Sequence, residues 1–286
     1  MSEPIDLFLV GARLVEFVAA FCLFGFAAFQ VYAPSPFRGP GGLVYRAILP
    51  ALASAAAIGW SFAIARQIGG GMDVSAVPLL GRIWLTTGFG RALLAASLLG
   101  VALALNGLGG GRRRWLGLGL AAALLVALSF VGHAAVGVGL AGGVRIGVRA
   151  THLLAGGAWL GGLPPLALAL RGESASMGIL LRRFGAMGAV AVALILATGL
   201  ASIAVVVAVA GGRPGPLYTR VLIIKLSLVS GLLVAAAANR FRLTPRLARH
   251  PHETLATLRR TVALEQVLGL GILASVATLG QLDPAM

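Results

Sequence analysis

The stretch "LLRRFGAMGAVAVALILATGLASIAVVVAVA", residues 180–210, decides what kind of fold this chain can adopt. After Arg182 and Arg183 it continues for 27 residues without a charged side chain. A bilayer core about 30 Å thick needs about 20 apolar residues per helix. The stretch is therefore predicted to be a transmembrane helix.

The composition extends this prediction to the whole chain. Of the 286 residues, 59% are hydrophobic and 11% are charged, whereas a soluble domain has about 25% charged residues. No polar stretch is long enough for a separate soluble domain, so a single all-α transmembrane domain, a bundle of eight transmembrane helices, is predicted for residues 1–286. The spans are expected at residues 6–32, 43–66, 88–106, 115–132, 146–170, 180–210, 217–240 and 259–280.

Two segments need a separate interpretation. The stretch 67–87 is not a clear span, and a short re-entrant or interfacial helix is expected around "PLLGRIWLTTGFG", residues 78–90. The first apolar run has no small-residue cleavage site after a short core, which favours a retained span over a signal peptide. The single cysteine, Cys22, excludes an intramolecular disulfide framework.

The net charge of +15 does not indicate a nucleic-acid-binding protein, because the arginines lie in short gaps between apolar runs. Fourteen arginines fall in the first, third, fifth and seventh gaps, and seven fall in the other three. Basic residues concentrate on the cytoplasmic side of bacterial membrane proteins. Both termini of the chain are therefore expected in the periplasm.

Few ionisable side chains lie inside the predicted spans, and such residues are costly in a bilayer. Glu16 lies in span 1, Lys225 in span 7 and Glu265 in span 8, while Asn239 closes span 7. At 1.5 Å per residue, their depths pair Lys225 with Glu16, and Glu265 with Asn239 or Arg240. These residues form either structural pairs that lock helices together or a polar path through the bundle.

The four histidines divide into two groups. His250 and His252 lie in an arginine-rich loop and are expected to be solvated. His133 ends span 4 and His152 begins span 5, so both are expected at the outer end of adjacent antiparallel helices. Two such imidazoles can share a metal ion, face each other across a haem, or simply bond to backbone and water. Trp159 follows His152 by seven residues and is expected to pack beneath it on the same helix face.

Several stretches together resemble the copper-resistance D membrane proteins (CopD/PcoD). The resemblance covers nearly the whole chain and is strongest near the C-terminus, where Tyr218, Lys225, Pro245 and Glu265 match the family's signature. The matching stretches are "YTRVLIIKLSLVSGLLVAAAANRFRLTPRL" (218–247), "LRRTVALEQVLGLGILASVATLGQLDPA" (258–285), "THLLAGGAWLGGLPPL" (151–166), "GHAA" (132–135) and "TTGFGRALLAAS" (86–97).

The resemblance implies a bacterial inner-membrane protein that passes copper inward from a periplasmic copper-binding partner of the CopC type. It also supplies His133 and His152 as metal-facing candidates. The five methionines are scattered instead of clustered, and only Met72 in an outer loop could join the histidines. Thioether ligands favour Cu(I) and imidazole also accepts Cu(II), so the oxidation state of the copper ion stays open.

The predicted function is copper binding at the periplasmic face, followed by transfer into or across the membrane. His133 and His152 would hold the metal, and Glu16 and Lys225 would set the electrostatics of the path. No nucleophile or acid–base pair has convincing spacing, so an enzyme is not predicted. Two alternatives remain: a haem b electron-transfer protein with His133 and His152 as axial ligands, and a membrane scaffold that docks periplasmic copper proteins.

Overall fold

The computed structural model describes residues 5–33, 40–69, 76–109, 113–131, 140–172, 177–247 and 249–284. Within these ranges all regular structure is helical and no strand occurs, which confirms the all-α prediction. The helices are α1 (Leu7–Tyr32), α2 (Val44–Gly69), α3 (Ala76–Thr86), α4 (Gly88–Leu108), α5 (Arg114–Ser129), α6 (Leu140–Leu160), α7 (Leu163–Ala169), α8 (Met177–Val209), α9 (Pro216–Arg246) and α10 (Pro251–Leu279). A short helical turn, Pro40–Leu43, leads directly into α2.

Six of these helices are long and apolar enough to cross a membrane: α1, α2, α4, α8, α9 and α10. Helix α5 has 16 residues, which is short for a bilayer core about 30 Å thick at 1.5 Å per residue. Helix α6 carries Arg145 and Arg149 and is not among the six. The count of eight spans therefore stays a prediction, although α5 and α6 coincide with two of the predicted runs.

The first and last helices meet at one end of the bundle. The Asp6 amide donates to Oε1 of Gln281 at 3.0 Å, and Nε2 of Gln281 donates to the Asp6 carbonyl at 2.8 Å. The Gly215 amide, at the start of α9, donates to the carbonyl of Pro284. We call this end of the bundle the outer end and the opposite end the inner end.

Helix α1 lies at the centre of the bundle and is in contact with α2, α5, α6, α7 and α10. On one side, Phe17 and Trp60 belong to a core that α1 forms with α2, α4, α5 and α6. On the other side, Trp159 belongs to a core formed with α7, α8, α9 and α10. Side chains on α1 therefore lie between the two halves of the molecule.

Glycines bring α1 into direct backbone contact with the turn between α6 and α7. A Cβ atom at Gly25 would overlap the backbone of Gly161 and Gly162, and a Cβ at Gly161 would overlap the carbonyl of Phe21. The small residues of "GGAWLGG" (156–162) thus allow two backbones to approach closely. The predicted span 146–170 is not one helix, because α6 ends at Leu160 and α7 begins at Leu163 with prolines in its first turn.

The inner end is more helical than the sequence suggests. Helix α9 continues through a π-helical turn, Asn239–Leu243, and α10 already begins at Pro251. The predicted loop between spans 7 and 8 is therefore wrong in length, because a proline is compatible with the first turn of a helix. Two arginines bond to carbonyls at helix ends: Arg183 donates to Tyr32, and Arg259 donates to Leu170.

Helices α8 and α9 are the least buried of the six candidate spans. Only 6% and 11% of their most apolar stretches are buried. Helix α8 packs on α6 and α9 packs on α10, and within the described residues α8 and α9 contact each other mainly through the Asn239–Arg246 end of α9. The rest of α9 makes few contacts with α8, and we call the separation between these parts of the two helices the α8–α9 groove.

Candidate functional site

The His152 ring on α6 is held by a threonine on α8. Nδ1 of His152 lies 2.8 Å from Oγ1 of Thr198, and the same hydroxyl lies 2.5 Å from the Leu194 carbonyl oxygen. A threonine hydroxyl has one proton, and a carbonyl oxygen this close can only be its acceptor. The imidazole must therefore donate from Nδ1, which leaves Nε2 with its lone pair free of this contact. That is the tautomer a metal-binding histidine needs.

The backbone of α8 also positions the imidazole ring of His152. The Cε1 atom of His152 lies 3.7 Å from the position that a Cβ would take at Gly199, so the ring rests on the helix where a glycine follows Thr198. Thr198 is buried, and His152 is half-buried. The orientation of the imidazole is thus set by a hydrogen bond and by van der Waals contact with a second helix.

Trp159 lies nearer the inner end on the same side of α6. Its indole is 4% exposed and lies 3.7 Å from the position that a Cβ would take at Gly188. His152 faces residues 198–199 of α8 and Trp159 faces residue 188, so the two helices run antiparallel with both rings between them. Seven residues separate the two side chains, about 10 Å along the helix, so the packing of the indole beneath the imidazole stays a prediction.

Two basic side chains surround His152. Arg149, one turn away on α6, and Lys225, on α9, both act electrostatically on the imidazole, and Arg149 also acts on Lys225. Lys225 lies in the outer half of α9 and is half-buried. A cation bound at His152 would therefore meet repulsion from both side chains.

Glu16 does not pair with Lys225, so that expectation from depth is wrong. Glu16 is fully buried, and neither of its carboxylate oxygens has a hydrogen-bond partner among the described residues. Its carboxyl group lies against the backbone of Ala57 on α2, whereas Lys225 acts electrostatically on His152 and Arg149 of α6. Depth along a helix does not specify the side from which a residue projects, and α1 has neighbours in both halves of the bundle.

Arg13 lies one turn nearer the outer end than Glu16 and forms no hydrogen bond with it. Its guanidinium carbon lies 4.9 Å from the centre of the Trp60 ring, and a Cβ at Gly280 would overlap the guanidinium group. Arg13 is thus enclosed between α2 and the end of α10. Arg149 acts on it electrostatically, so this half of the bundle contains several cations close together.

At the inner end, the structure pairs Glu265 with Asn239. Nδ2 of Asn239 donates to Oε1 of Glu265 at 2.5 Å, and Oγ1 of Thr261 donates to Oδ1 of Asn239 at 2.6 Å. This pairing agrees with the depth estimate from the sequence. The three side chains join α9 to α10 and give one oxygen of a buried carboxylate a hydrogen-bond donor.

The remaining candidates have simpler outcomes. His133 and Met72 lie outside the described residues, so their proximity to His152 stays a prediction. His250 and His252 are exposed at the inner end, as expected. Within the described ranges, no group of three or more His, Cys, Asp or Glu side chains is arranged to hold a metal ion.

The sequence reading missed two members of this site. Thr198 is a hydroxyl residue inside a long apolar run, and Arg149 is a charge one turn before His152. Polar residues inside spans are functional candidates by default, so both carried a signal. What the sequence could not give was which of the other helices Thr198 faces.

Comparisons with known proteins match most of the chain to one family. Residues 178–279 match the family Copper resistance protein D, and residues 4–144 match Copper resistance protein D-like, N-terminal domain. The chain is 28% identical to Copper resistance protein D of Pseudomonas syringae pv. tomato, over 100% of this chain and 99% of that protein. It is 30% identical to Inner membrane protein YebZ of Escherichia coli (strain K12), over 58% of each chain. No solved structure matches it significantly.

Proposed function

The chain belongs to the copper resistance protein D family, and from that premise we propose that it binds copper near its outer end and passes it into or across the inner membrane. Its relatives and its apolar helices make it a multi-pass inner-membrane protein with a copper-related function. The family is one of membrane copper-resistance proteins and is not a known enzyme family. Copper is thus the cargo of the proposed function.

The observation that carries the proposal is the hydrogen bond from Nδ1 of His152 to Thr198. It fixes the tautomer in which Nε2 can act as a ligand, and a second hydrogen bond of this kind is typical of metal-binding histidines. His133 would supply the second imidazole and Met72 a thioether. Histidine and methionine together accept both Cu(I) and Cu(II), so the proposal covers both ions.

The charges around His152 favour transfer over storage. Arg149 and Lys225 act on the imidazole, and their repulsion would weaken the hold on a copper ion. Transport requires a site that binds well enough to load and weakly enough to release. Glu16 is buried on the central helix without a hydrogen-bond partner among the described residues, and it is the acidic group that we assign to the inward path. Delivery of copper by a periplasmic protein of the CopC type completes the proposal.

The test is copper binding and uptake by the purified protein. In lipid nanodiscs, His152→Ala should abolish most copper binding, and in liposomes it should abolish copper uptake. His252→Ala is the matched control, because His252 is an exposed histidine at the other end of the bundle, and it should change neither measurement. Binding should weaken as the pH falls, because protons compete with copper for Nε2.

Three results would contradict the proposal. Equal copper binding by the wild-type protein and His152→Ala would remove His152 from the site. A Soret absorption band that disappears in His152→Ala would instead support haem ligation. No observation on the described residues supports that alternative. If the protein bound copper but did not carry it into liposomes, the result would support the alternative of a membrane scaffold that docks periplasmic copper proteins.

A further inference from the structure

A cleft of about 390 Å³ opens at the inner end, between the beginning of α8 and the π-helical turn of α9. Leu181, Arg182 and Gly185 line it from α8, and Arg240 and Phe241 line it from α9. The cleft therefore combines two guanidinium groups with an apolar wall. It lies at the far end of the bundle from His152.

The two arginines retain capacity to bind an anion. Within the described residues, neither forms an ion pair with a carboxylate. Arg240 donates one N–H to the Gly185 carbonyl, which leaves most of its five N–H donors available. The sequence around them is strongly basic, because segments 171–183 and 240–260 contain nine arginines and two glutamates.

The cleft lies where the polar and apolar parts of both helices meet. Arg182 lies two residues before the uncharged run of α8, and Arg240 lies two residues after the last alanine of the apolar part of α9. From this level the α8–α9 groove leads toward the outer end. The 15 residues from Arg240 to Lys225 span about 22 Å, which exceeds the thickness of one leaflet, about half of a 30 Å core.

We propose that the cleft binds the phosphate headgroup of an anionic phospholipid, whose acyl chain lies in the α8–α9 groove. Arginine is suited to phosphate because its planar fork donates two parallel hydrogen bonds. Basic pockets between transmembrane helices bind such headgroups on the cytoplasmic side, which is where the predicted orientation places the cleft.

Two observations favour a lipid over a soluble phosphate compound. Phe241 is 71% exposed beside Arg240, in a position where hydrocarbon is a better neighbour than water. The α8–α9 groove also continues the cleft along two helices whose apolar stretches are only 6% and 11% buried. A soluble phosphate would fill the cleft and leave the groove empty, whereas a phospholipid fills both.

The experiment measures lipid binding to the intact protein by native mass spectrometry in a neutral detergent, with phosphatidylglycerol and phosphatidylcholine as probes. Wild-type protein should bind phosphatidylglycerol more tightly than phosphatidylcholine. Arg182→Gln and Arg240→Gln should each weaken phosphatidylglycerol binding about fivefold, as expected for one basic residue near an anionic headgroup. Arg182→Lys should retain more binding than Arg182→Gln because it keeps the charge.

Arg242→Gln is the matched control, since Arg242 is exposed on the same π-helical turn but does not line the cleft. It should leave binding unchanged, and the melting temperature of each variant checks that it is folded. Equal affinity for the two lipids, or equal losses in Arg242→Gln and Arg182→Gln, would overturn the proposal. So would complete displacement of the lipid by millimolar inorganic phosphate, or a dimer whose interface occupies the groove in place of lipid.

Discussion

Thr198 contributes to the candidate copper site without being a ligand itself. Its hydroxyl accepts from Nδ1 of His152 while it donates to the Leu194 carbonyl. Thr198→Val keeps the size of the side chain but removes the acceptor, so the imidazole loses both its orientation and its fixed tautomer. We expect copper affinity to fall about 10- to 100-fold, the usual effect of losing such a partner, as measured by equilibrium dialysis.

Ser202→Ala provides the control for this substitution. The Ser202 hydroxyl lies one turn further along α8, and its hydrogen bond among the described residues is to the Thr198 carbonyl in the same helix. Copper affinity should stay at the wild-type value in this variant. An equal loss in Ser202→Ala and Thr198→Val would mean that the effect comes from α8 and not from the hydrogen bond to His152.

The two buried glutamates should respond in opposite ways to the same substitution. Neither carboxylate oxygen of Glu16 has a hydrogen-bond partner among the described residues, so Glu16→Met removes a buried polar group whose desolvation costs about 1–3 kcal/mol. The melting temperature should rise, and copper uptake should fall if Glu16 belongs to the path. Glu265→Met instead breaks the bond to Asn239 and should lower the melting temperature.

A lower melting temperature in both variants would show that Glu16 has a stabilising partner in the folded protein. A higher one with unchanged uptake would remove Glu16 from the path. Thermal unfolding in detergent, followed by circular dichroism, separates these outcomes from the transport assay in liposomes.

At the scale of the elements, the contact between α1 and the turn after α6 leaves no room for a larger side chain. A Cβ at Gly25 would overlap the backbone at Gly161 and Gly162, and backbone cannot move aside as a flexible side chain can. Gly25→Ala should therefore destabilise the protein by about 1–3 kcal/mol or more. The expected result is a lower melting temperature and a smaller folded yield.

Gly11→Ala is the comparison within the same helix, since nothing lies within 4 Å of the position of its Cβ. Alanine is about 1 kcal/mol better than glycine inside a helix in water, so this variant should be as stable as the wild type or more stable. If Gly25→Ala were equally harmless, the two helices would have room to separate.

The sequence predicts the helices better than the breaks between them. Long apolar runs mark the six candidate spans, because hydropathy is summed over some 20 residues and is insensitive to a single side chain. The break between α6 and α7 depends on Gly161, Gly162 and two prolines, a signal that average hydropathy dilutes. The extra helix at the inner end begins at Pro251 with solvated arginines, which hydropathy reads as a loop.

To predict which side chains pair, one must know which helices are neighbours and which faces they turn to each other, and the sequence of a single helix does not specify this. The depth of Glu265 and Asn239 was sufficient to pair them because they lie on adjacent antiparallel helices, α9 and α10. Depth did not predict the contacts of Glu16 and Lys225, because Glu16 lies against α2 and Lys225 acts on His152 of α6. It could not find Thr198 either, since α8 is not adjacent to α6 in the sequence.

At the scale of the whole molecule, the distribution of arginine predicts how the bundle lies in the membrane. The outer end contains residues 6 and 281, and the predicted orientation places it in the periplasm. Cysteines introduced at residues 113 and 246 should therefore react with a membrane-impermeant thiol reagent only from the cytoplasm. The test is labelling of intact spheroplasts compared with inverted vesicles, after Cys22 has been replaced by alanine.

Labelling of residue 246 from the periplasm would reverse the bundle. His152 would then lie in the cytoplasmic half, and the candidate site could not receive copper from a periplasmic protein. The contacts within the bundle would not change, so the lipid cleft would keep its two arginines but would face the opposite leaflet.

The hydrogen bonds between Asp6 and Gln281 also restrict the number of times that the chain can cross the membrane. A chain whose first and last membrane helices meet on one side of a bilayer must cross that bilayer an even number of times. The six clear candidates satisfy this parity, so the two consecutive helices α5 and α6 can only be added or left out together. Seven crossings are incompatible with the observed contact, and the short α5 cannot cross unless the arginine-bearing α6 returns the chain beside it.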